Sequence, residues 1–136
     1  MKQEETIFTK IIKREIPANI VYEDEKVIAF LDINPVTKGH TLLIPKEQHK
    51  WMNDVPDELL SYVYIKAKEI MTKLKKATDA DFVVLSVVGI DVPHFHIHLI
   101  PRRHGDGLAN FWPTTEYQEG EAEKIVEKIK QALETK

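Results

Sequence analysis

His94, His96 and His98 recur at every second residue, separated by Phe95 and Ile97 and followed by Leu99-Ile100-Pro101-Arg102. Strict alternation is the period of a β-strand, whose successive side chains point to opposite faces. Phe95, Ile97 and Leu99 are therefore expected to face a core, with the three imidazoles on the other side. At a strand rise of about 3.3 Å per residue, neighbouring imidazoles would stand roughly 6 to 7 Å apart. Each ring carries two polar nitrogens that need partners, so a row of three is poor packing material. Three readings fit such a row. In one, two imidazoles at i and i+2 converge on a zinc ion, with a further ligand from His40 or Asp91. A straight strand makes convergence of all three on one tetrahedral ion difficult. In another, one imidazole attacks phosphorus while its neighbours hold the anion, a role suited to a group with pKa near 6.5. In the last, the histidines are solvated and idle, which strict alternation of three argues against.

The elements that must position this row are legible along the chain. Thr6 to Glu15 places Ile7, Phe8, Ile11 and Ile12 at helical spacing, with Thr6 as N-cap and Pro17 at the exit. Ile20 to Tyr22 and Lys26 to Ile33 form a strand pair across Glu23-Asp24-Glu25, and Asn34-Pro35 and Lys38-Gly39 break the second strand. His40 to Pro45 is another strand. The Asp54-Val55-Pro56-Asp57 start signal opens a helix of about twenty residues ending near Thr78-Asp79, whose apolar positions step by threes and fours from Leu59 to Leu74. Phe82 to Val88 reads as a buried strand, and Gly89 to Pro93 as a tight turn into the histidines. A loop carrying Phe111, Trp112 and Pro113 precedes an amphipathic helix from Glu121 to Leu133. The resulting class is α+β: a mostly antiparallel sheet, one long helix packed on it, and shorter helices at both ends.

The 136 residues are 43% hydrophobic and 30% charged, with a net charge of −3. This is the balance of a globular chain, and one domain over 1–136 is expected. Acids and bases are interspersed, which excludes the basic surface of a general nucleic-acid binder. The chain has no cysteine, so thiol chemistry and disulfides are excluded and a cytoplasmic location is expected. No apolar run approaches the roughly 20 residues of a membrane span. The charged start Met1-Lys2-Gln3-Glu4-Glu5 leads into no signal-like apolar stretch, so neither export nor a membrane partner is expected.

His94-Phe95-His96-Ile97-His98-Leu99-Ile100 resembles the signature of the histidine triad (HIT) family of nucleotide hydrolases and transferases, in which histidines alternate with apolar residues. The resemblance extends through Thr6-Ile7-Phe8, Glu15-Ile16-Pro17-Ala18, Tyr22-Glu23-Asp24, Ala29 to Pro35 and Gly39-His40-Thr41-Leu42-Leu43-Ile44-Pro45-Lys46, in order, and is closest to the Hint-like branch. It covers residues 6 to about 104. It implies a HIT-like fold and a purine nucleotide or nucleotide conjugate as ligand. It also implies that His96 takes up a nucleoside monophosphate covalently before water releases it. His98, and His94 through its backbone and ring, would orient His96 and contact the phosphate, with His40 as fourth histidine of the site. Asp32 matches a ribose-hydroxyl ligand, and Phe8, Ile11, Phe30, Ile33 and Leu42 match positions lining the base and ribose pocket. A homodimer joining two sheets is implied as well, and no cofactor. A catalytically weak nucleotide-binding dimer is the rival reading.

Two departures from the family pattern bear on function. Where many members carry two zinc-binding cysteines beside a histidine and the first triad histidine, this chain has Thr6 and Thr9, with His49 and His94. Threonine supplies no thiolate, so no structural zinc is expected. Where the family often has Gly-Gln-Ser/Thr-Val before the triad, this chain has Gly89-Ile90-Asp91-Val92-Pro93. Gly89 would leave room for the phosphate while Asp91 caps backbone amides or repels the anion. Arg102, Arg103 and His104 could hold a polyphosphate, or form a solvated strand end.

Overall fold

Thr6 opens the first helix as its N-cap, the role its hydroxyl suits: Oγ1 accepts from the Thr9 backbone N–H at 3.2 Å. Helix α1 (Ile7–Ile12) is shorter than expected, because Arg14 adopts φ 65° and the Glu15 N–H turns back to the Lys10 carbonyl at 2.9 Å. The computed structural model describes residues 4–108 and 113–135. Phe111 and Trp112 of the expected aromatic loop lie outside them. The chain forms one compact unit up to Asp106 and a second from Gly107.

The first unit is built on five strands, β1 (Ile20–Glu23), β2 (Val27–Leu31), β3 (Thr41–Pro45), β4 (Phe82–Ser86) and β5 (Ile97–Arg102). They run in the order β1-β2-β3-β5-β4, every neighbouring pair antiparallel. The α+β class is as the sequence predicts. Helix α2 (Asp57–Thr78) starts on acidic Asp57 and Glu58, ends on Lys75 and Lys76, and stops where Asp79 turns left-handed. The charges at both ends complement the helix dipole.

Strand alternation divides the sheet into two unlike faces. Val27, Ala29, Leu43, Phe95, Ile97 and Leu99 turn toward α2 and pack with Val63 and Ala67. Ile28, Phe30, Leu42 and Ile44 turn the other way, under Phe8 and Ile11 of α1. The α2 face is plain core, and removing a ring such as Phe95 from it costs about 3–5 kcal/mol. The α1 face carries the histidines. The expected division of Phe95, Ile97 and Leu99 from the imidazoles is therefore present.

The histidine segment itself differs from a continuous strand. The ladder begins only at Ile97, with His98 opposite Leu42 of β3 and Ser86 of β4. The Phe95 N–H donates instead to the His49 carbonyl at 2.6 Å, and the His94 N–H to Val92 at 2.8 Å. The chain ahead of Ile97 is thus held by the segment after β3 rather than by a strand. In the second unit, helix α3 (Glu121–Glu134) forms close to the expected span, with none of its residues fully buried. No helix among the described residues is long and apolar enough to cross a membrane.

Candidate active site

His40 is delivered by a turn that tolerates little else. Gly39 sits at φ +100°, and a Cβ there would come within 2.8 Å of Thr78 Cγ2, so glycine is required. The loop from Asp32 to His40 is closed by its own hydrogen bonds. Asp32 N–H donates to the His40 carbonyl at 2.9 Å, and Asp32 Oδ1 accepts from Asn34 N–H at 2.8 Å. Thr37 Oγ1 ties the loop to the Pro101 carbonyl at 2.6 Å. The other Asp32 oxygen lies 3.7 Å from His40 Nε2.

The four histidines then assemble on the α1 face. His94 and His96 are buried, as is His40, while His98 is half-buried. The His96 and His98 rings lie 4.9 Å apart between centroids, and His40 and His98 5.2 Å apart. Phe8 meets His96 edge-on at 4.9 Å and His94 at 5.9 Å. The His96 and His98 rings stand closer than even strand spacing predicts.

Fixed partners assign the protons on these rings. The Val36 backbone N–H can only donate, and it donates to His40 Nδ1 at 3.1 Å. Neutral His40 therefore carries its proton on Nε2 and donates it to His98 Nδ1 at 2.9 Å. The proton of neutral His98 is then on Nε2, which bonds no other group among the described residues. The His94 carbonyl can only accept, so His96 donates to it from Nδ1 at 2.7 Å. The lone pair of His96 is consequently on Nε2. Two adjacent rings thus offer a nucleophilic nitrogen and an N–H donor.

Burial keeps the set neutral. Desolvation lowers the pKa of His40, His94 and His96, and holds His98 down to about 4, where neighbouring His96 and His40 add to the effect. Asp32 and Asp91 act in the opposite direction on His96 and His98 but do not overcome burial. A neutral imidazole with a directed lone pair can attack phosphorus or accept a proton at neutral pH.

The other expected residues divide into those brought to the histidines and those left outside. Phe8, Ile11, Phe30 and Leu42 are all buried in one cluster beneath α1, which Val92 joins. Phe30, Leu42 and His98 form a row across three neighbouring strands. Ile33 is 82% exposed and packs in neither apolar cluster. Gly89 has φ +78° and lies against the Trp51 ring, and Asp91 is exposed. Arg102 is bound by Asp106 through Nε at 2.5 Å and Nη2 at 3.0 Å, and Arg103 donates to the Thr78 carbonyl at 2.9 Å. The strand-end arginines are therefore engaged by the protein itself.

Sequence reasoning missed Thr6 as a partner of His94, and Val36 and Pro45 as partners of histidine rings. Thr6 Oγ1 lies 3.1 Å from His94 Nδ1, and the Pro45 carbonyl 3.0 Å from His94 Nε2. Thr6 had a detectable signal, its helix N-cap. The other two act through backbone atoms, for which side-chain patterns carry no signal.

Zinc does not fit the positions that hold it in many HIT proteins. Thr6 and Thr9 offer neutral hydroxyls, both His94 nitrogens are engaged, and His49 Nε2 is bonded to Glu47 at 2.6 Å. Elsewhere among the described residues, Asp32, His40 and His98 bring ligand atoms within 4.8 Å of one another. An ion there would have to displace the proton shared by His40 and His98.

Four histidines and an aspartate gathered beside an antiparallel sheet define a histidine-based site, and comparisons place it among known proteins. Residues 13–105 match the HIT domain. An uncharacterised HIT-like protein of Methanocaldococcus jannaschii is 46% identical over 105 residues, covering 74% of this chain and 81% of that one. The adenosine 5′-monophosphoramidase of Saccharomyces cerevisiae is 41% identical over 116 residues, 81% of this chain and 71% of the yeast protein. A crystal structure of a HIT family member from Bacillus subtilis superposes with a TM-score of 0.83 at 35% identity, covering 98% of this chain and 100% of that one. The chain belongs to the HIT family.

Proposed function

We propose that this protein is a nucleotidyl hydrolase that cleaves nucleoside phosphoramidates through a covalent nucleotidyl-His96. The observation that carries the reading is the proton arrangement of the adjacent rings: a lone pair on His96 Nε2 beside an N–H on His98 Nε2. His96 Nε2 attacks the α-phosphorus, the Nε2–P bond forms and the bond from phosphorus to the leaving nitrogen breaks. His98 Nε2–H stabilises charge on the phosphoryl oxygens. The amine leaves with a proton taken up from solvent. Water then attacks phosphorus, the Nε2–P bond breaks and His96 Nε2 regains its lone pair; one water proton passes to solvent while the hydroxyl leaves on the nucleoside monophosphate.

Two features favour an amine over a polyphosphate as leaving group. Asp91 places a carboxylate near His96 and His98, where it attracts a protonated amine and repels further phosphates. The arginines at the end of β5 are held by Asp106 and Thr78. The yeast relative's name as a monophosphoramidase is consistent with this preference. Asp32 supplies a carboxylate for ribose hydroxyls, and Phe8 an aromatic wall beside the nucleophile. The working form is a homodimer that joins the two sheets.

Incubation with adenosine 5′-phosphoramidate and with a diadenosine polyphosphate, measuring AMP released, tests the reading. The phosphoramidate is expected to turn over faster, and His96→Ala to reduce the rate on the order of 10⁴-fold. Absence of turnover of either substrate, or full activity in His96→Ala, would sink the enzyme reading. Nucleotide binding without turnover would leave the regulatory dimer in its place.

A further inference from the structure

His94 is fully buried, and both its ring nitrogens are occupied by groups from distant parts of the chain. The Pro45 carbonyl can only accept, so His94 Nε2 carries the proton and donates it at 3.0 Å. Nδ1 of the neutral ring is then an acceptor, and the Thr6 hydroxyl at 3.1 Å must be its donor. Thr6 Oγ1 in turn accepts the Thr9 N–H at 3.2 Å. Thr9 Oγ1 donates to Gln48 Oε1 at 2.8 Å, and Gln48 Nε2 to the Glu4 carbonyl at 2.7 Å. The two hydroxyls also lie 3.3 Å apart; with the Thr6 proton given to His94 Nδ1 and the Thr9 proton to Gln48 Oε1, one polarity runs through the chain. Among the described residues no buried side-chain nitrogen or oxygen is left unpartnered.

We propose that Thr6 and Thr9 are positioning residues, forming a hydroxyl clip that does by hydrogen bonding what a metal does at the same place in many HIT proteins. This rests on the reading of His96 as nucleophile. The clip joins the start of α1 to the buried His94 ring and, through Gln48, to the segment after β3. It fixes the ring in one tautomer and one rotation. The His94 carbonyl, on the same residue, holds His96 Nδ1 at 2.7 Å and thereby aims His96 Nε2. Phe8, two residues after Thr6, packs edge-on against His96 at 4.9 Å, so displacement of the helix start reaches the nucleophile by two routes. A hydroxyl at position 6 is needed to fulfil this role; a methyl of the same shape would leave His94 Nδ1 buried without a donor.

Nitrogen-15 NMR of the imidazoles, in the wild type and in Thr6→Val and Thr6→Ser, tests the clip alongside phosphoramidate kinetics. The wild type is expected to show His94 protonated on Nε2, with Nδ1 accepting. Thr6→Val is expected to shift the His94 Nδ1 resonance and lower kcat about ten- to a hundredfold with little change in KM, and Thr6→Ser to restore both. A wild-type His94 protonated on Nδ1 would overturn the proposal even if no variant folds. So would an unchanged kcat in folded Thr6→Val, a loss explained by the unfolded fraction alone, or stoichiometric zinc in the purified protein. If the wild type hydrolyses no nucleotide conjugate, the functional reading fails instead, and the imidazole spectra still decide the clip.

Discussion

The two ends of the histidine row contrast in everything but residue type. At one end His94 is sealed, with Thr6 on one nitrogen and Pro45 on the other. At the other end His98 is half-buried, receives a proton from His40, and keeps its own Nε2–H directed to no other group among the described residues. Between them His96 takes its orientation from the closed end, through Nδ1 and the His94 carbonyl. Neighbours, not spacing, divide the labour in the proposed reaction: one imidazole would be a structural strut, one the nucleophile and one the donor. The hydrogen-bond inventory of each ring makes that division.

His98→Ala removes the donor and is expected to lower kcat for adenosine 5′-phosphoramidate by about 10²–10³-fold, the range seen when one anion-stabilising donor is lost. Thermal unfolding of that variant should stay close to the wild type, because the ring is half-buried. A loss of stability without a loss of kcat would reverse the roles assigned to the two ends.

A smaller effect concerns pH. The folded-state pKa values of His40, His94, His96 and His98 lie below the ordinary 6.5, with His98 at about 4. Between those values and 6.5 the unfolded chain binds more protons than the folded one. Stability is therefore expected to be constant with respect to these groups above pH 6.5, and to fall as pH drops from 6.5 toward 4. Activity should persist below pH 6.5, since His96 stays neutral there. Denaturant unfolding and kcat/KM profiles across this window check both statements.

Much of this architecture was legible from residue patterns, and the failures have physical causes. The period-two run correctly set Phe95, Ile97 and Leu99 against the α2 face, and Thr6 announced itself as an N-cap. The run did not reveal that pairing starts at Ile97, because the partner of the Phe95 N–H is a carbonyl at His49. Nor could it reveal the tautomers, which Val36 and Pro45 set through backbone atoms from other parts of the fold. The pattern leaves Arg102 open to a polyphosphate or a solvated strand end, and Asp106, four residues on, binds it instead. Ile33, a pocket position by resemblance, stands exposed in the same loop as Asp32.

The smallest expected effect sharpens the open end. Asp91→Asn removes the carboxylate near His96 and His98, and should change the phosphoramidate rate less than tenfold while improving the rate on diadenosine polyphosphate by a few-fold. A ratio of the two rates that does not move would remove Asp91 from the choice of leaving group.

The central claim is that His96 alone among the four histidines bonds to phosphorus. Rapid quenching of the protein with adenosine 5′-phosphoramidate, followed by peptide mass spectrometry at alkaline pH, where phosphohistidine-type bonds survive, tests it directly. The account predicts an adenylyl group on His96 and none on His94, His98 or His40. Steady release of AMP with no adduct at any time point, or an adduct on a different residue, would contradict it.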